Sequence, residues 1–228
     1  MFILQEVCIF GDSISKGIIY NTERKRYTPL SDCFAALLEK TNNLSIKNYS
    51  IFGCTIEKGL SIIHKHFKEL DKTDCIALEF GGNDCDYDWQ KISDDPSHEH
   101  FPNTTVTAFK ETYTKIIDDL KTLNKKMVIL NLPPLDADKY FNWISKNRNA
   151  ENIKNWLGGN PQYIYRWHEM YSNLVCEIAS ASNIKMIDIR SAFLKLRNYS
   201  DYLCEDGIHP NAKGHLLISK AVGLAFNN

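Results

Sequence analysis

The sequence predicts an α/β protein, a five-stranded parallel sheet held between two layers of helices. Short β-rich runs alternate with longer stretches of helical period, the signature of repeated βαβ units. Five runs of each kind can be drawn, enough for a three-layer α/β/α sandwich. The chain has 228 residues, 43% of them hydrophobic, long enough for a full core and short enough for one domain over 1–228.

The first strand is EVCIF (6–10), which runs straight into GDSISKG. Leu30, Phe34, Leu37 and Leu38 then share a helical face. SIKNYSI (45–51) is the second strand, followed by a helix marked by Ile56, Leu60, Ile63, Phe67 and Leu70. CIALEF (75–80) is the third strand. Val106, Phe109, Tyr113, Ile116, Leu120 and Leu123 mark the next helix, and KMVILNL (126–132) the fourth strand. Ile164, Trp167, Tyr171, Leu174, Val175 and Ile178 form another stripe. IKMIDI (184–189) is the fifth strand, and Leu217, Ala221 and Leu224 mark the last helix. Right-handed crossovers restrict the topology, and the flavodoxin-like order 2-1-3-4-5 is the natural one. Two connections exceed the usual few residues, 85–103 and 133–162, and such long loops commonly carry function.

Composition excludes several classes. Lys and Arg number 27 against 28 Asp and Glu, so no global field draws in nucleic acid or an anionic membrane. The seven cysteines are an odd set with no CxxC pair, against a disulfide framework or a structural zinc site, and read as free thiols in a reducing compartment. MFILQEVCIF has no basic leader and reads as no signal peptide, and no apolar run approaches the ~20 residues of a membrane span. A cytoplasmic protein is expected.

In an open parallel sheet, ligands sit beyond the carboxyl ends of the strands, where the strand order reverses. Ser13 follows strand one, Gly53 strand two and Asn83 strand three, while Asp206 and His209 follow strand five. With strand one between strands two and three, the loops of Gly53 and Asn83 flank Ser13. Such a site suits acyl transfer, with a hydroxyl nucleophile and N–H donors converging on a developing oxyanion. A serine needs a positioned base. His64, His66, His168 and His215 fall in helices, and His98 and His100 in a long loop. His209 alone combines a short loop with an acid, Asp206, three positions earlier. Pro210 disfavours helix at His209 and Gly207 permits a tight turn, so Asp206 can meet Nδ1 and leave Nε2 for Ser13. The plainer alternative for Ser13 is a helix cap, and for Asn83 a turn residue.

Four blocks, GDSI (11–14), Gly53 in NYSIFGCT, GGND (81–84) and DGIHP (206–210), resemble in order and spacing the SGNH hydrolases, the GDSL-type esterases and lipases. The one departure in the first block is Ile14 for the usual leucine. The resemblance implies a triad of Ser13, His209 and Asp206. It further implies an oxyanion hole from the backbone N–H groups of Ser13 and Gly53 with the side-chain amide of Asn83. A two-step acyl-enzyme mechanism without a cofactor or metal comes with it. Asp12 and Asp84 read as loop hydrogen-bonders, and Cys54 and Cys85 as small buried hydrophobes.

Aromatic residues gather in the two long loops. Tyr87, Trp89 and Trp143 are the candidate substrate contacts. A small-molecule ester is the expected partner, with a short acyl group such as acetyl on a small or carbohydrate alcohol. ERKR (23–26) reads as a solvated loop. A phosphate-binding protein is disfavoured because GDSISKG lacks the GxxxxGKS/T spacing. A non-catalytic carbohydrate- or small-ligand-binding protein on the same fold is the remaining alternative.

Overall fold

A computed structural model describes residues 6–227. Residues 1–5, half of the stretch read above as carrying no leader, lie outside the described residues. Five parallel strands form the main sheet: β1 (Glu6–Gly11), β4 (Ser45–Asn48), β5 (Cys75–Glu79), β6 (Lys126–Leu130) and β7 (Lys185–Ile187). Their order is β4-β1-β5-β6-β7, which counted within this sheet is 2-1-3-4-5. β1 is therefore the point where the order reverses. An antiparallel hairpin of β2 (Ile18–Asn21) and β3 (Arg26–Pro29), not expected from the sequence, follows β1 outside this sheet. ERKR forms its exposed turn and the start of β3.

The burial of each strand follows its place. β5 is covered on both faces, all five residues are buried, and it reads as a continuous apolar run. β4 lies at the edge and alternates exposed with half-buried residues. Two apolar layers flank the sheet. Phe109, Tyr113, Ile116, Ile117 and Leu120 of α5 (Val106–Lys121) are fully buried on one side with α3 (Ile56–His66) and α8 (Gln162–Ala181). Phe34 and Leu38 of α2 (Phe34–Asn42) pack with α10 (Ala212–Asn227) on the other. Each such side chain contributes roughly 1.5–3 kcal/mol. Leu30, expected on the α2 face, precedes the helix and donates its N–H to Gly17 instead.

The two long connections are not loops throughout. They fold into α4 (Trp89–Asp94), α6 (Ala137–Ile144) and α7 (Ala150–Trp156), whose apolar faces make a third cluster at the carboxyl edge of the sheet. Asp88, Asp136 and Asn149 cap these helices with side-chain oxygens on backbone N–H groups. Among the described residues no helix is long and apolar enough to cross a membrane, and all seven cysteines are free thiols.

Candidate active site

β1 ends at Gly11, pressed against β5 so closely that a Cβ there would lie 2.6 Å from the Glu79 carbonyl oxygen. The chain then turns into the four-residue helix α1 (Ser13–Lys16). The cap of α1 is Asp12, whose Oδ1 accepts the Ile14 N–H at 2.8 Å. Ser13 is thus the first helical residue and its hydroxyl is free of capping duty. Gly17, left-handed at φ 77°, closes the helix and sends the chain into the hairpin.

Asp206 and His209 do not sit on a short loop directly after the fifth strand, as expected. The helix α9 (Arg190–Leu194) and a 3-10 turn over Tyr199–Tyr202 come first. The segment then closes on itself through Cys204 N–H to His209 O at 2.8 Å and Gly207 N–H to Cys204 O at 3.1 Å. Inside it, Asp206 Oδ1 accepts the N–H groups of Ile208 and His209, both at 3.1 Å. Asp206 Oδ2 lies 2.6 Å from His209 Nδ1, and His209 Nε2 lies 2.9 Å from Ser13 Oγ across 196 residues of chain. All three side chains are buried. Burial favours a neutral Asp206, yet the His209 ring and the two N–H groups hold its carboxyl below the ordinary range. The line can therefore take a proton from Ser13 while a charged carboxylate fixes the imidazole tautomer.

Asn83 stands beside Ser13, half-buried, its side-chain Nδ2 donating to Asp12 Oδ2 at 2.9 Å and its main-chain carbonyl accepting from Asn103 Nδ2 at 2.9 Å. Only one of the two amide hydrogens is used by Asp12. Gly53 lies in the turn after β4, which Ile51 N–H ties to Gly11 O at 3.1 Å. Its φ of 68° is left-handed, and nothing stands within 4 Å of where a Cβ would be. Asp84 accepts from Ile56 N–H and the Thr104 hydroxyl, tethering the start of α3. Cys54 and Cys85 are buried, and burial pushes both thiols up, Cys54 to about 12. Neither is a nucleophile near neutral pH.

A cavity of about 300 Å³ opens at Ser13 and His209, and Tyr87, Trp89 and Trp143 all line it. Tyr27 and Phe52 line it too. Tyr27 of β3 lies over the His209 ring at 5.1 Å, and Phe52 stacks on it at 6.0 Å and 4°. Tyr20 meets Trp143 edge to face at 4.5 Å, joining the hairpin to α6. Tyr20 and Tyr27 are cross-strand partners about a polar turn. Among the described residues, no group of three or more His, Cys, Asp or Glu side chains is placed to hold a metal ion.

Comparison with known proteins gives a consistent result. The sequence model of the GDSL-like lipase/acylhydrolase family matches residues 9–217. A GDSL esterase/lipase of Arabidopsis thaliana is 26% identical over 220 residues, 95% of this chain and 62% of that protein. The chain thus spans about 62% of the length of this curated relative. Among solved structures, a lipase/acylhydrolase from Enterococcus faecalis superposes with a TM-score of 0.68 at 20% identity, covering 98% of this chain and 95% of that one. A catalytic mutant of an acetylxylan esterase from Geobacillus stearothermophilus gives 0.64 at 18%, covering 96% and 92%. At such identities the structures speak for a shared fold.

Proposed function

Because the chain belongs to the GDSL-like lipase/acylhydrolase family, we propose that it is a carboxylic ester hydrolase working through Ser13, His209 and Asp206. The observation that carries the reading is the continuous line Asp206 Oδ2, His209 Nδ1, His209 Nε2, Ser13 Oγ, with steps of 2.6 and 2.9 Å.

Ser13 Oγ attacks the ester carbonyl carbon as His209 Nε2 takes its proton. The oxyanion is met by the backbone N–H groups of Ser13 and Gly53 and by the second amide hydrogen of Asn83. Collapse expels the alcohol, protonated by His209, and leaves an acyl group on Ser13. Water, deprotonated by the same imidazole, then attacks the acyl carbon and regenerates the serine. Asp206 keeps Nδ1 protonated and offsets the charge that His209 acquires.

The preferred substrate is a short acyl ester, acetyl among them, of a small or carbohydrate alcohol. A cavity of this size and aromatic lining supports it, as does the shared fold with proteins described as acetylxylan esterases. A purely binding role would give no use to a buried serine aligned on an imidazole and a carboxylate. Labelling with a fluorophosphonate tests the reading. Wild-type protein takes up the probe and Ser13→Ala does not, and wild type hydrolyses 4-nitrophenyl acetate. An unlabelled wild type that leaves the ester intact would overturn it.

A further inference from the structure

Beyond the triad, the cavity wall carries polar groups that the hydrolytic steps do not use. His168, on α8, lines the same cavity as Ser13 yet is only 7% exposed. Its Nδ1 has no hydrogen-bond partner among the described residues. That nitrogen is sealed from the cavity, whereas the ring's other nitrogen, Nε2, is not sealed and bonds no described group, so it is the atom of this cavity-lining side chain that a ligand can meet. Burial, assisted by the Arg190 charge, pushes the imidazole down to about 3. It is neutral at physiological pH, with one nitrogen that accepts and one that donates.

A second polar group, Asp86, lines the cavity too. Trp89 Nε1 and Tyr140 Oη both donate to its Oδ1 at 2.8 Å. That fixes the carboxylate and leaves the lone pairs of its other oxygen for a ligand. Arg148 also reaches the cavity, its Nη1 anchored on Ile144 O at 2.8 Å. The charges select the ligand class. A cation is opposed by Arg148, an anion by Asp86, and a neutral group with hydroxyls by neither. Between the polar groups the wall is aromatic, with Tyr87 and Trp156 at 4.9 Å and Trp89 and Trp156 at 6.0 Å. Such a wall suits the C–H face of a ring.

We propose that this inner wall is a recognition site for the alcohol half of the ester, a neutral polyhydroxylated ring whose hydroxyls bond His168 and Asp86 while its apolar face lies on Trp156 and Tyr87. This rests on the reading of Ser13 as the nucleophile of an ester hydrolase, and it assigns His168 to specificity.

The test uses two esters of one acyl group, 4-nitrophenyl acetate and mono-O-acetylated methyl glucoside, on the whole protein. For His168→Phe, which keeps a ring but removes both nitrogens, the ratio of kcat/KM for the glucoside ester to that for 4-nitrophenyl acetate falls about tenfold, the loss of one good hydrogen bond, and the change lies in KM. His168→Gln, which retains a donor and an acceptor, recovers part of it. In the wild type, free methyl glucoside competes with 4-nitrophenyl acetate, a measurement that requires no variant to fold. An unchanged ratio, or absent competition from a protein that still takes up fluorophosphonate, would overturn the proposal and leave the hydrolase reading standing. A wild type that neither labels nor cleaves either ester would remove both.

Discussion

The amide of Asn83 is held by Asp12, whose Oδ2 accepts from Nδ2 at 2.9 Å while its Oδ1 caps the Ser13 helix at 2.8 Å. One carboxylate thus fixes both the serine and its proposed oxyanion donor. Behind it lies Glu79, fully buried, with Ser15 Oγ donating to its Oε2 at 2.8 Å. Burial raises both carboxyls, but the Asp12 charge adds to it at Glu79 while bonds from Ile14, Glu79 and Asn83 hold Asp12 back, so the proton of the pair sits on Glu79. Asp12 is left as the acceptor for Asn83.

Asp12→Ala therefore loosens Asn83 and also removes the cap of the Ser13 helix. Deleting an oxyanion donor outright costs on the order of 10²–10³ in turnover, and Asn83→Ala should show that loss. Asp12→Ala should show part of it, about tenfold or more, in kcat with KM little changed. Steady-state kinetics on 4-nitrophenyl acetate decides, and a loss confined to KM would contradict the arrangement.

Asp206→Asn keeps an oxygen for the N–H groups of Ile208 and His209 but presents an N–H where Nδ1 needs an acceptor. The imidazole is then driven to the wrong tautomer, and kcat should fall on the order of 10²–10⁴ with the fold intact. A loss of less than tenfold would mean that Ser13 and His209 suffice as a dyad, and that the 2.6 Å contact serves the turn more than the chemistry.

Much of this site was legible because its chemistry is carried by short motifs at strand ends. GDSI, GGND and DGIHP name Ser13, Asn83, Asp206 and His209 directly, and the order of the five strands brings those ends to one rim. What escaped was set by tertiary packing. Tyr20 and Tyr27 give no apolar run that competes with a loop reading, and the hairpin is held by contacts with Trp143 and His209 from distant segments. The helices α4, α6 and α7 are short, so few residues carry their period, and only the cluster they share makes them stable. His168 reads as one more residue on a helical stripe. Its place in the cavity wall is visible only once the cavity exists.

Asp84 offers a stability test. Burial pushes its carboxyl up to about 6, despite the bonds from Thr104 and Ile56. Between pH 4 and 6 the folded state then holds a proton that the unfolded chain has released, so this group's contribution falls as pH rises through that window and is constant above it. Asp84→Asn keeps an oxygen for Ile56 and Thr104 and abolishes the titration. Its stability relative to wild type, followed by melting temperature, should rise from pH 4 to 7 by about 2–3 kcal/mol. Parallel curves for the two proteins would show that Asp84 does not titrate there. Taking the difference cancels groups of opposite sign, such as Asp206, whose lowered carboxyl is unaffected by the change.

Gly207 links the stability of the turn to its chemistry. Its φ is +76°, and a Cβ there would lie 2.7 Å from Asp136 O, Tyr140 N and Lys139 Cβ, all on or beside α6. Its own carbonyl accepts the Asp136 N–H at 2.8 Å, so the turn cannot retreat without losing that bond. Gly207→Ala meets both a left-handed backbone and a wall of main chain, at a cost of at least ~2 kcal/mol, and should melt roughly 4–8 °C lower. Because Asp206 and Ile208 adjoin it, any shift that relieves the clash also moves His209 away from Ser13. Activity measured well below the melting transition should therefore fall by about tenfold or more, since displacing a catalytic group by a fraction of an ångström weakens proton transfer steeply. A variant that melts lower yet keeps full turnover would show that α6, and not the turn, gives way.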